Sequence, residues 1–269
     1  MIEKAYAKIN LTLEIVGKTK GYHLLESIVI PIDLFDTLKF EKATKDEVVS
    51  NVEIKNNNIY LALNLFKKTF KIKDCVKITL DKKIPIGFGL GGSSADISAT
   101  LRGLNRFFKL NKPLSELESL ANKLGSDTLF CLYNKRAFIF GRGEQIKFLP
   151  YDKKLTFLII YPEATLLTKE VFEQAAKTNK KAYFNFLNYA LQNDYQTIID
   201  NSKNDLLAAS LALSEPFKNL YQKLKNKGLN VKMSGSGPAL FIVNPKEEEF
   251  KNVKEILEDS TKFEIRKEI

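Results

Sequence analysis

The stretch from Ile84 to Asp96 contains the residues whose types and spacing most clearly suggest chemistry. Four of the chain's 13 glycines lie in it, at positions Gly87, Gly89, Gly91 and Gly92. Apolar residues at helical spacing follow as far as Phe107, so a helix is predicted to begin where the glycines end. A glycine-rich backbone at a helix N-terminus presents several free N–H groups, and the positive end of the helix dipole, to one point. The pattern predicts a phosphate-binding loop, and an ordinary glycine-rich turn is the alternative.

Three kinds of phosphate-binding loop have glycine patterns of this sort. A Walker A loop requires a Lys directly after its last Gly. Gly87 and Gly92 have the required spacing, but Ser93 stands where that Lys should be. The charge that would reach the β- and γ-phosphates is therefore missing.

A dinucleotide-binding turn, G-x-G-x-x-G, is also matched formally by these glycines. Its context does not fit, because charged residues and Pro85 separate the loop from the strand predicted before it. An acidic residue should also end a second strand about 20 residues later, but Glu116 and Glu118 instead open a helix. The third kind of loop binds phosphates through N–H groups and serine hydroxyls alone, and this stretch fits it.

Lys8 and Asn10 form a second group of candidates. Residues 5–16 alternate between apolar and polar, which predicts a half-buried strand with one apolar face formed by Ile9, Leu11, Leu13 and Ile15. Side chains two residues apart on a strand share a face, so Lys8 and Asn10 could reach one ligand. Exposure of that face to solvent is the alternative.

Two further residues are candidates because of their positions. His23 is the only histidine and follows Tyr22, so it is either a structural residue or a ligand contact. Asp127 lies in a tight connection between a helix predicted to end near Gly125 and the apolar segment 129–132. It either caps the next helix or acts chemically.

The order of predicted strands and helices indicates an α+β fold. The proline-containing stretch 149–154 is the best candidate for a boundary, and it divides the chain into residues 1–150 and 151–269. Beyond it, a strand at 155–161, several helices, two strands around a glycine turn at 234–238, a helix at 246–258 and a last strand at 262–267 have a ferredoxin-like order.

Composition limits the classes of function. The 269 residues are 44% hydrophobic and 28% charged, which is a globular composition. No apolar run approaches the roughly 20 residues that span a bilayer, and the N-terminus lacks the apolar core of a signal peptide. Cys75 and Cys131 have no CxxC spacing, so free thiols in a reducing cytoplasm are expected. One His and no close Cys pair exclude a metal-ligand cluster built from these residues.

The net charge of +10 invites a nucleic-acid hypothesis. The lysines are spread along the chain rather than massed in one block, so a solvated basic surface is the preferred interpretation. A basic field would still attract a small substrate that carries phosphate.

The loop resembles the second motif of the GHMP kinases, a superfamily named for galactose, homoserine, mevalonate and phosphomevalonate. Within it, the chain is most similar to the family of 4-diphosphocytidyl-2-C-methyl-D-erythritol kinases. Besides the loop, six segments carry the resemblance, in order along the chain: Ala7–Leu11, Gly21–His23, Leu124–Asp127, Gly141–Glu144, Asn204–Leu206 and Met233–Gly237.

The chain departs from the family pattern within the loop. The family usually has Gly-Gly-Gly-Ser-Ser-Asp, whereas positions 91–96 read Gly-Gly-Ser-Ser-Ala-Asp. Whether Ser93 or Ser94 meets phosphate or metal is therefore open. Leu129 also stands where the family has a Pro.

The resemblance implies a two-domain GHMP kinase fold, with an N-terminal domain like ribosomal protein S5 and a ferredoxin-like C-terminal domain. It implies transfer of the γ-phosphoryl group of ATP, with Mg²⁺, to the 2-hydroxyl of 4-diphosphocytidyl-2-C-methyl-D-erythritol. The implied partner is this small molecule, with no nucleic acid or membrane, and the enzyme would be a monomer or a homodimer.

By the same resemblance, Asp127 is the general base and Lys8 polarises the reacting groups. Asn10, Tyr22 and His23 would bind the substrate, the last two at its cytosine. A cytosine has two ring faces, and Phe172 is a further candidate for the other one. ATP would be bound by Asn58, Pro85, Gly87, Gly89, Leu90, Gly91, Gly92, Ser93 and Ser94.

Two other hypotheses remain. A mevalonate or homoserine kinase would share the loop but would give no reason for Gly21–His23 or for the pairing of Lys8 with Asn10. A nucleic-acid-binding module would fit the net charge and the ribosomal-protein-like half. Such a module would bind RNA tightly, with a steep dependence on salt concentration, and would not transfer phosphoryl groups.

Overall fold

The computed structural model describes residues 1–19, 22–54, 57–175, 185–257 and 261–269. Gly21, the first residue of one family segment, lies outside these ranges. The first half of the chain forms a seven-stranded sheet of β1 (Ile2–Asn10), β2 (Glu14–Thr19), β3 (Tyr22–Ala43), β4 (Glu47–Ser50), β5 (Cys75–Asp81), β6 (Ala137–Gly141) and β7 (Gln145–Phe148).

Strand β3 organises this sheet. It is 22 residues long and pairs antiparallel with β1, β2, β5 and β6, while β4 joins β5 in parallel. The register of β1 shifts between Tyr6 and Lys8, and Lys8 lies opposite Pro31. Proline cannot donate to the ladder and is found at such irregularities, and a bulge re-aims the side chains beside it. The bulge opposite Pro31 therefore sets the direction of the Lys8 side chain.

The single strand predicted over residues 5–16 was wrong in its extent. β1 ends at Asn10 and β2 begins at Glu14, so the alternating pattern covers two strands and the bend between them. The apolar side chains at 9, 11 and 13 are buried as expected. The polar face is buried too, because the glycine loop covers Lys8 and the second half of the chain covers Asn10.

Helices α1 (Asn58–Phe70), α2 (Gly92–Phe107), α3 (Leu114–Leu124) and α4 (Thr128–Tyr133) belong to this first half. On α1, four residues at helical spacing are buried in the core: Ile59, Ala62, Leu63 and Phe66. Helix α2 contacts β1, β3, α1, α3 and α4. The N-terminus of α2, where the glycine loop ends, is therefore anchored by a helix that packs at the centre of the first half.

The second half contains a four-stranded sheet of β8 (Thr156–Tyr161), β9 (Lys232–Met233), β10 (Leu240–Val243) and β11 (Lys262–Lys267). Its order is β11-β8-β10-β9 and all its pairs are antiparallel. Numbered within this half, the order is 4-1-3-2, which is the ferredoxin-like arrangement. The remaining described helices are α5 (Thr168–Ala175), α6 (Phe186–Leu191), α7 (Tyr195–Asn201), α8 (Leu207–Leu213), α9 (Glu215–Asn226) and α10 (Glu247–Ile256). The predicted α+β fold is confirmed.

The two halves share packing. The larger apolar cluster joins the core of the first sheet to residues of the second half, including Phe157, Phe186 and Phe241. A boundary near residue 150 lies between β7 and β8, and a division into residues 1–150 and 151–269 stays a prediction. Within the described ranges, no helix has both the length and the apolar character needed to cross a membrane.

Candidate active site

Every residue predicted for the site lines one of two cavities that meet along the glycine loop. The larger cavity has a volume of 980 Å³, and its lining includes Lys8, Asn10, Tyr22, His23, Gly87, Gly89, Gly91, Gly92, Ser93, Ser94, Asp127 and Phe172. The smaller one has a volume of 240 Å³ and adds Asn58, Pro85 and Leu90. Residues separated by more than 100 positions in the sequence are thus brought to one place.

The glycine loop requires glycine at the points where other segments approach it. Gly89 has a φ of +73°, and a Cβ there would lie 2.2 Å from the Ser234 carbonyl oxygen. Gly91 has a φ of +72°, and a Cβ there would lie 2.8 Å from Cγ of Lys8. The loop is therefore packed against backbone on one side and against Lys8 on the other, with α2 starting directly after it at Gly92.

Lys8 connects the loop to Asp127. Its Nζ lies 3.0 Å from the Gly89 carbonyl oxygen and 3.3 Å from Oδ2 of Asp127, and it also donates to Oδ1 of Asn10. Its backbone N–H donates to the Leu90 carbonyl at 2.9 Å. Lys8 and Asn10 are each 4% exposed, so the alternative of a solvated strand face was wrong.

Asp127 stands at the N-cap position of α4, but its side chain makes no capping hydrogen bond there. The carboxylate instead pairs with Lys8 and keeps 32% of its side chain exposed, on the wall of the larger cavity. Between the two interpretations left open by the sequence, the geometry favours a chemical role. A carboxylate that reaches solvent beside a buried ammonium can accept a proton from a ligand in the cavity.

An aromatic group of Tyr22, His23 and Phe172 lines the larger cavity. Tyr22 and His23 begin β3 in the hairpin with β2, where His23 is paired with Lys18. The His23 ring lies 5.4 Å from the ring of Phe172 on α5, with a tilt of 34°. The Arg142 guanidinium lies 5.3 Å from the Tyr22 ring centre.

The pKa of His23 lies below its ordinary value of 6.5. Partial burial of the ring is the largest cause, and the positive charge of Lys18 acts in the same direction. A hydrogen bond with the backbone of Phe172 opposes them. The imidazole is therefore neutral at pH 7, with one nitrogen able to donate and the other able to accept.

The two loop serines have different surroundings. Nδ2 of Asn58, the first residue of α1, donates to Oγ of Ser93 at 3.0 Å. Ser93 lines both cavities, whereas Ser94 lines only the larger one, which also contains Asp127. Both hydroxyls therefore share a cavity with the Asp127 carboxylate, and of the two only Ser93 also borders the smaller cavity.

Ser234 and Asn204 also belong to the site, and the sequence did not predict them as site residues. The Ser234 hydroxyl donates to the Gly89 carbonyl at 3.1 Å and accepts from the Asn10 N–H at 3.2 Å. Asn204 holds the same segment by donating to the Met233 and Gly235 carbonyls at 2.9 and 2.8 Å. Their segments were noticed as family motifs, but no sequence signal showed that they contact the loop.

Positive side chains outnumber negative ones around the larger cavity. Its lining includes Lys8, Lys18, Arg142 and Lys169, against the carboxylates of Asp127 and Glu173. Such a lining favours an anionic ligand. In the part of the chain that the structure describes, no group of three or more His, Cys, Asp or Glu side chains could hold a metal ion.

Comparison with known proteins gives consistent matches. The model of the GHMP kinases N terminal domain matches residues 57–135, and that of the GHMP kinases C terminal matches residues 187–261. A protein of Staphylococcus epidermidis, provisionally named a 4-diphosphocytidyl-2-C-methyl-D-erythritol kinase, is 36% identical over an alignment of 261 residues, and the match covers 93% of each chain.

Solved structures match over nearly the whole chain. The crystal structure of a 4-(cytidine 5'-diphospho)-2C-methyl-D-erythritol kinase has a TM-score of 0.81 and 25% identity, and the match covers 99% of this chain and 98% of that one. The crystal structure of homoserine kinase from Cytophaga hutchinsonii has a TM-score of 0.73 at 17% identity, covering 100% and 94%. The second match is a similarity of fold alone.

Proposed function

Since this chain belongs to the GHMP kinases and, within them, to the family of 4-diphosphocytidyl-2-C-methyl-D-erythritol kinases, we propose that it phosphorylates the 2-hydroxyl of that compound with ATP. This reaction belongs to non-mevalonate isoprenoid precursor biosynthesis. One observation carries the proposal: the Lys8–Asp127 pair and the His23–Phe172 pair line the same cavity as the N-terminus of α2.

Asp127 is the proposed general base. Its carboxylate accepts the proton of the attacking hydroxyl while the oxygen bonds to the γ-phosphorus and the bond to the β-phosphate oxygen breaks. The ammonium of Lys8, 3.3 Å away, offsets negative charge that develops on the transferred group. Asn10, which accepts from Lys8, is proposed to orient the substrate's hydroxyl groups.

The glycine loop is the proposed triphosphate site. Backbone N–H groups at the start of α2 receive the phosphates, because the helix N-terminus has unpaired donors and a positive dipole end. We propose that Ser94 contacts the transferred phosphate and that Ser93 and Asn58 lie toward the nucleoside, since Ser93 is bonded to Asn58. Phosphoryl transfer depends mainly on such positioning and charge stabilisation.

Magnesium fits this site as a companion of the nucleotide. Mg²⁺ usually keeps several waters and binds through one or two carboxylates plus substrate phosphates, so a site without a cluster of protein ligands can hold it. The oxygen groups that line the larger cavity include the hydroxyls of Ser93 and Ser94 and the carboxylate of Asp127. When bound, the ion would supply charge neutralisation between the β- and γ-phosphates.

Cytosine recognition is assigned to the aromatic group. Phe172 and Tyr22 offer planar faces. The neutral imidazole of His23 uses one nitrogen in its hydrogen bond with the Phe172 backbone, and its other nitrogen can accept from the edge of the base. Stacking of a base on an aromatic side chain contributes roughly 1–3 kcal/mol where it has been measured in nucleic-acid complexes. The positive side chains of this cavity suit the substrate's diphosphate.

The proposal is tested by measuring ADP release with a panel of acceptors. We expect turnover with 4-diphosphocytidyl-2-C-methyl-D-erythritol and none with mevalonate or homoserine. Phosphorus NMR of the product should locate the new phosphate at the 2-hydroxyl. Turnover on mevalonate or homoserine, with none on the cytidyl compound, would overturn the proposal.

We further propose a cytoplasmic enzyme that acts as a monomer or a homodimer. Cys75 and Cys131 are free thiols, which suits a reducing compartment. Light scattering during size-exclusion chromatography distinguishes the two assembly states.

A further inference from the structure

A buried cluster of three charged side chains lies directly behind the glycine loop and has no part in the mechanism above. Nζ of Lys82 is 2.6 Å from Oδ2 of Asp36 and 2.6 Å from Oδ2 of Asp96. The three side chains are 6%, 0% and 7% exposed, in that order. They are therefore shielded from solvent, where their mutual attraction is strong and little screened by salt.

The cluster joins three separate elements. Asp36 lies on the central strand β3, Lys82 is the first residue after β5, and Asp96 is in α2. The other oxygen of Asp36 accepts from the N–H groups of Lys83 and Ile84, at 2.5 and 2.7 Å. Asp36 thus fixes the chain as it enters the loop, and Lys82 extends this restraint to the helix that leaves the loop.

The ammonium also lies next to the end of α2 proposed to receive phosphate. A Cβ on Gly92, the first residue of this helix, would lie 3.0 Å from Nζ of Lys82. Lys82 and Asp96 line the smaller cavity together with the loop. The ammonium is therefore close to the first helical turn, whose N–H groups are proposed to receive the phosphates.

The charges of the cluster do not balance within it. Two carboxylates face one ammonium, and Oδ1 of Asp96 has no hydrogen-bond partner among the described residues although it is buried. Burial raises the pKa of Asp96 to about 7, with the charge of Lys82 lowering it and that of Asp36 raising it. Stability alone explains such a group poorly, because well-packed apolar residues often replace a buried ion pair without loss.

We propose that Lys82, held between Asp36 and Asp96, is a positioning residue that sets the geometry of the phosphate-binding loop. It acts through the backbone of residues 82–84 and the first turns of α2, and so fixes the spacing of the N–H groups that bind the triphosphate. The inference rests on the proposed ATP-dependent function. It means that loss of Lys82 weakens binding of the phosphates much more than binding of the nucleoside or of the acceptor.

The test compares Lys82→Met, Asp96→Asn and the control Lys67→Met. Lys67 forms a half-buried ion pair with Asp46 and lies on α1, outside both cavities. Dissociation constants for ATP and adenosine are measured by competition against a fluorescent ATP analogue, and KM is measured for ATP and for the cytidyl substrate. Thermal unfolding of each variant reports general stability.

We expect Lys82→Met to raise the dissociation constant and KM for ATP about tenfold or more, with changes below about twofold for adenosine and for the cytidyl substrate. Asp96→Asn keeps the shape of the side chain. It should raise the dissociation constant and KM for ATP about threefold, again with changes below about twofold for adenosine and for the cytidyl substrate. Lys67→Met should lower the unfolding temperature without changing any of these constants. If Lys82→Met does not fold, Asp96→Asn carries the test.

Two outcomes would overturn the inference: unchanged ATP affinity in the folded variants, or an equal loss for ATP, adenosine and the acceptor. The proposed function fails separately, through the acceptor panel of the wild-type protein. A wild type that phosphorylates none of the acceptors, together with a Lys82→Met variant that selectively loses ATP, would overturn the proposed acceptor and support the positioning role.

Discussion

The ammonium of Lys8 makes polar contacts with three parts of the site. It contacts the loop backbone at Gly89, the side chain of Asn10 and the carboxylate of Asp127, and almost none of its surface reaches solvent. A lysine buried in this way requires partners, because an unpaired buried charge is costly. The same contacts that satisfy Lys8 therefore keep the proposed base beside the loop.

Asp127→Asn tests the proposed base. We expect the rate of transfer to fall by about 10²–10⁴-fold, the usual contribution of a positioned general base, while ATP still binds with wild-type affinity. Single-turnover kinetics and nucleotide competition measure the two quantities. Asp74→Asn, on the exposed surface, is the control for the charge change. Wild-type turnover by Asp127→Asn would remove this residue from the mechanism.

His23 should give the affinity for the cytidyl substrate a pH dependence. Its pKa is lowered from 6.5, so the ring is neutral at pH 7 and above, and the KM for this substrate should be constant there. KM should rise as the pH falls through the lowered pKa, because protonation removes the accepting nitrogen. His23→Asn should abolish this dependence.

As His23 is the only histidine, NMR follows its titration directly and gives the control for this prediction. An imidazole that titrates at or above 6.5 would contradict the proposed environment. A pH profile of KM that does not follow the titration would remove His23 from cytosine recognition.

At the scale of elements, two irregular segments position the site. The bulge in β1 opposite Pro31 aims Lys8, and the glycine loop bends sharply enough to pack against the segment 234–237. The hydroxyl of Ser234 and the N–H of Ala239 each bond to carbonyls of this loop. Regular strands and helices pack around the bulge and the glycine loop, and this packing stabilises the irregular backbone of both.

Gly89→Ala tests the contact between the loop and the segment 234–237. The added Cβ would lie 2.2 Å from a backbone oxygen of Ser234, which cannot rotate away as a side chain could. We expect the KM for ATP to rise and transfer to fall by more than about tenfold, since small misplacements cost about this much. Steady-state kinetics with varied ATP measures both effects.

Gly228→Ala is the matched control for Gly89→Ala. Gly228 has a φ of +77° and no atom within 4 Å of an added Cβ, so it isolates the backbone strain of about 1 kcal/mol. Its kinetics should be those of the wild type. Equal kinetic effects of the two substitutions would show that the clash with Ser234 has no special role.

At the scale of the whole molecule, the buried ion pair of Arg136 and Glu268 links the two halves. Arg136 donates through Nε to Oε1 of Glu268 at 2.8 Å, and its second contact is to Oε2 of the same carboxylate. The guanidinium lies 4.4 and 4.1 Å from the rings of Tyr151 and Tyr195. Glu268 also accepts from the N–H of Leu155 at 3.0 Å, which ties the C-terminal residues to the start of β8.

Glu268→Ala should lower the free energy of unfolding by about 3–5 kcal/mol, because it leaves the buried Arg136 without its counter-charge. Urea denaturation measures the change. Glu247→Ala, in an exposed ion pair with Lys251, should change it by less than about 1 kcal/mol. Similar losses in both variants would show that the pair between the halves has no special weight.

The sequence by itself determined those features of the protein that depend on residues close together in the chain. Glycines at 87, 89, 91 and 92 followed by helical spacing predicted the loop and α2, because both depend on residues close together in the chain. The family resemblance named Lys8, His23 and Asp127 in one site, although their roles there remain proposals.

Only the tertiary structure decided which of these residues touch and which are buried. The strand pattern alone left Lys8 and Asn10 compatible with exposure to solvent, since the residues that cover them belong to the loop and to the segment around Ser234. The cluster of Lys82, Asp36 and Asp96 left no signal at all, because Asp36 is 46 residues from Lys82. A side chain's partner across such a distance depends on how sheets and helices pack, and a local pattern contains no record of that packing.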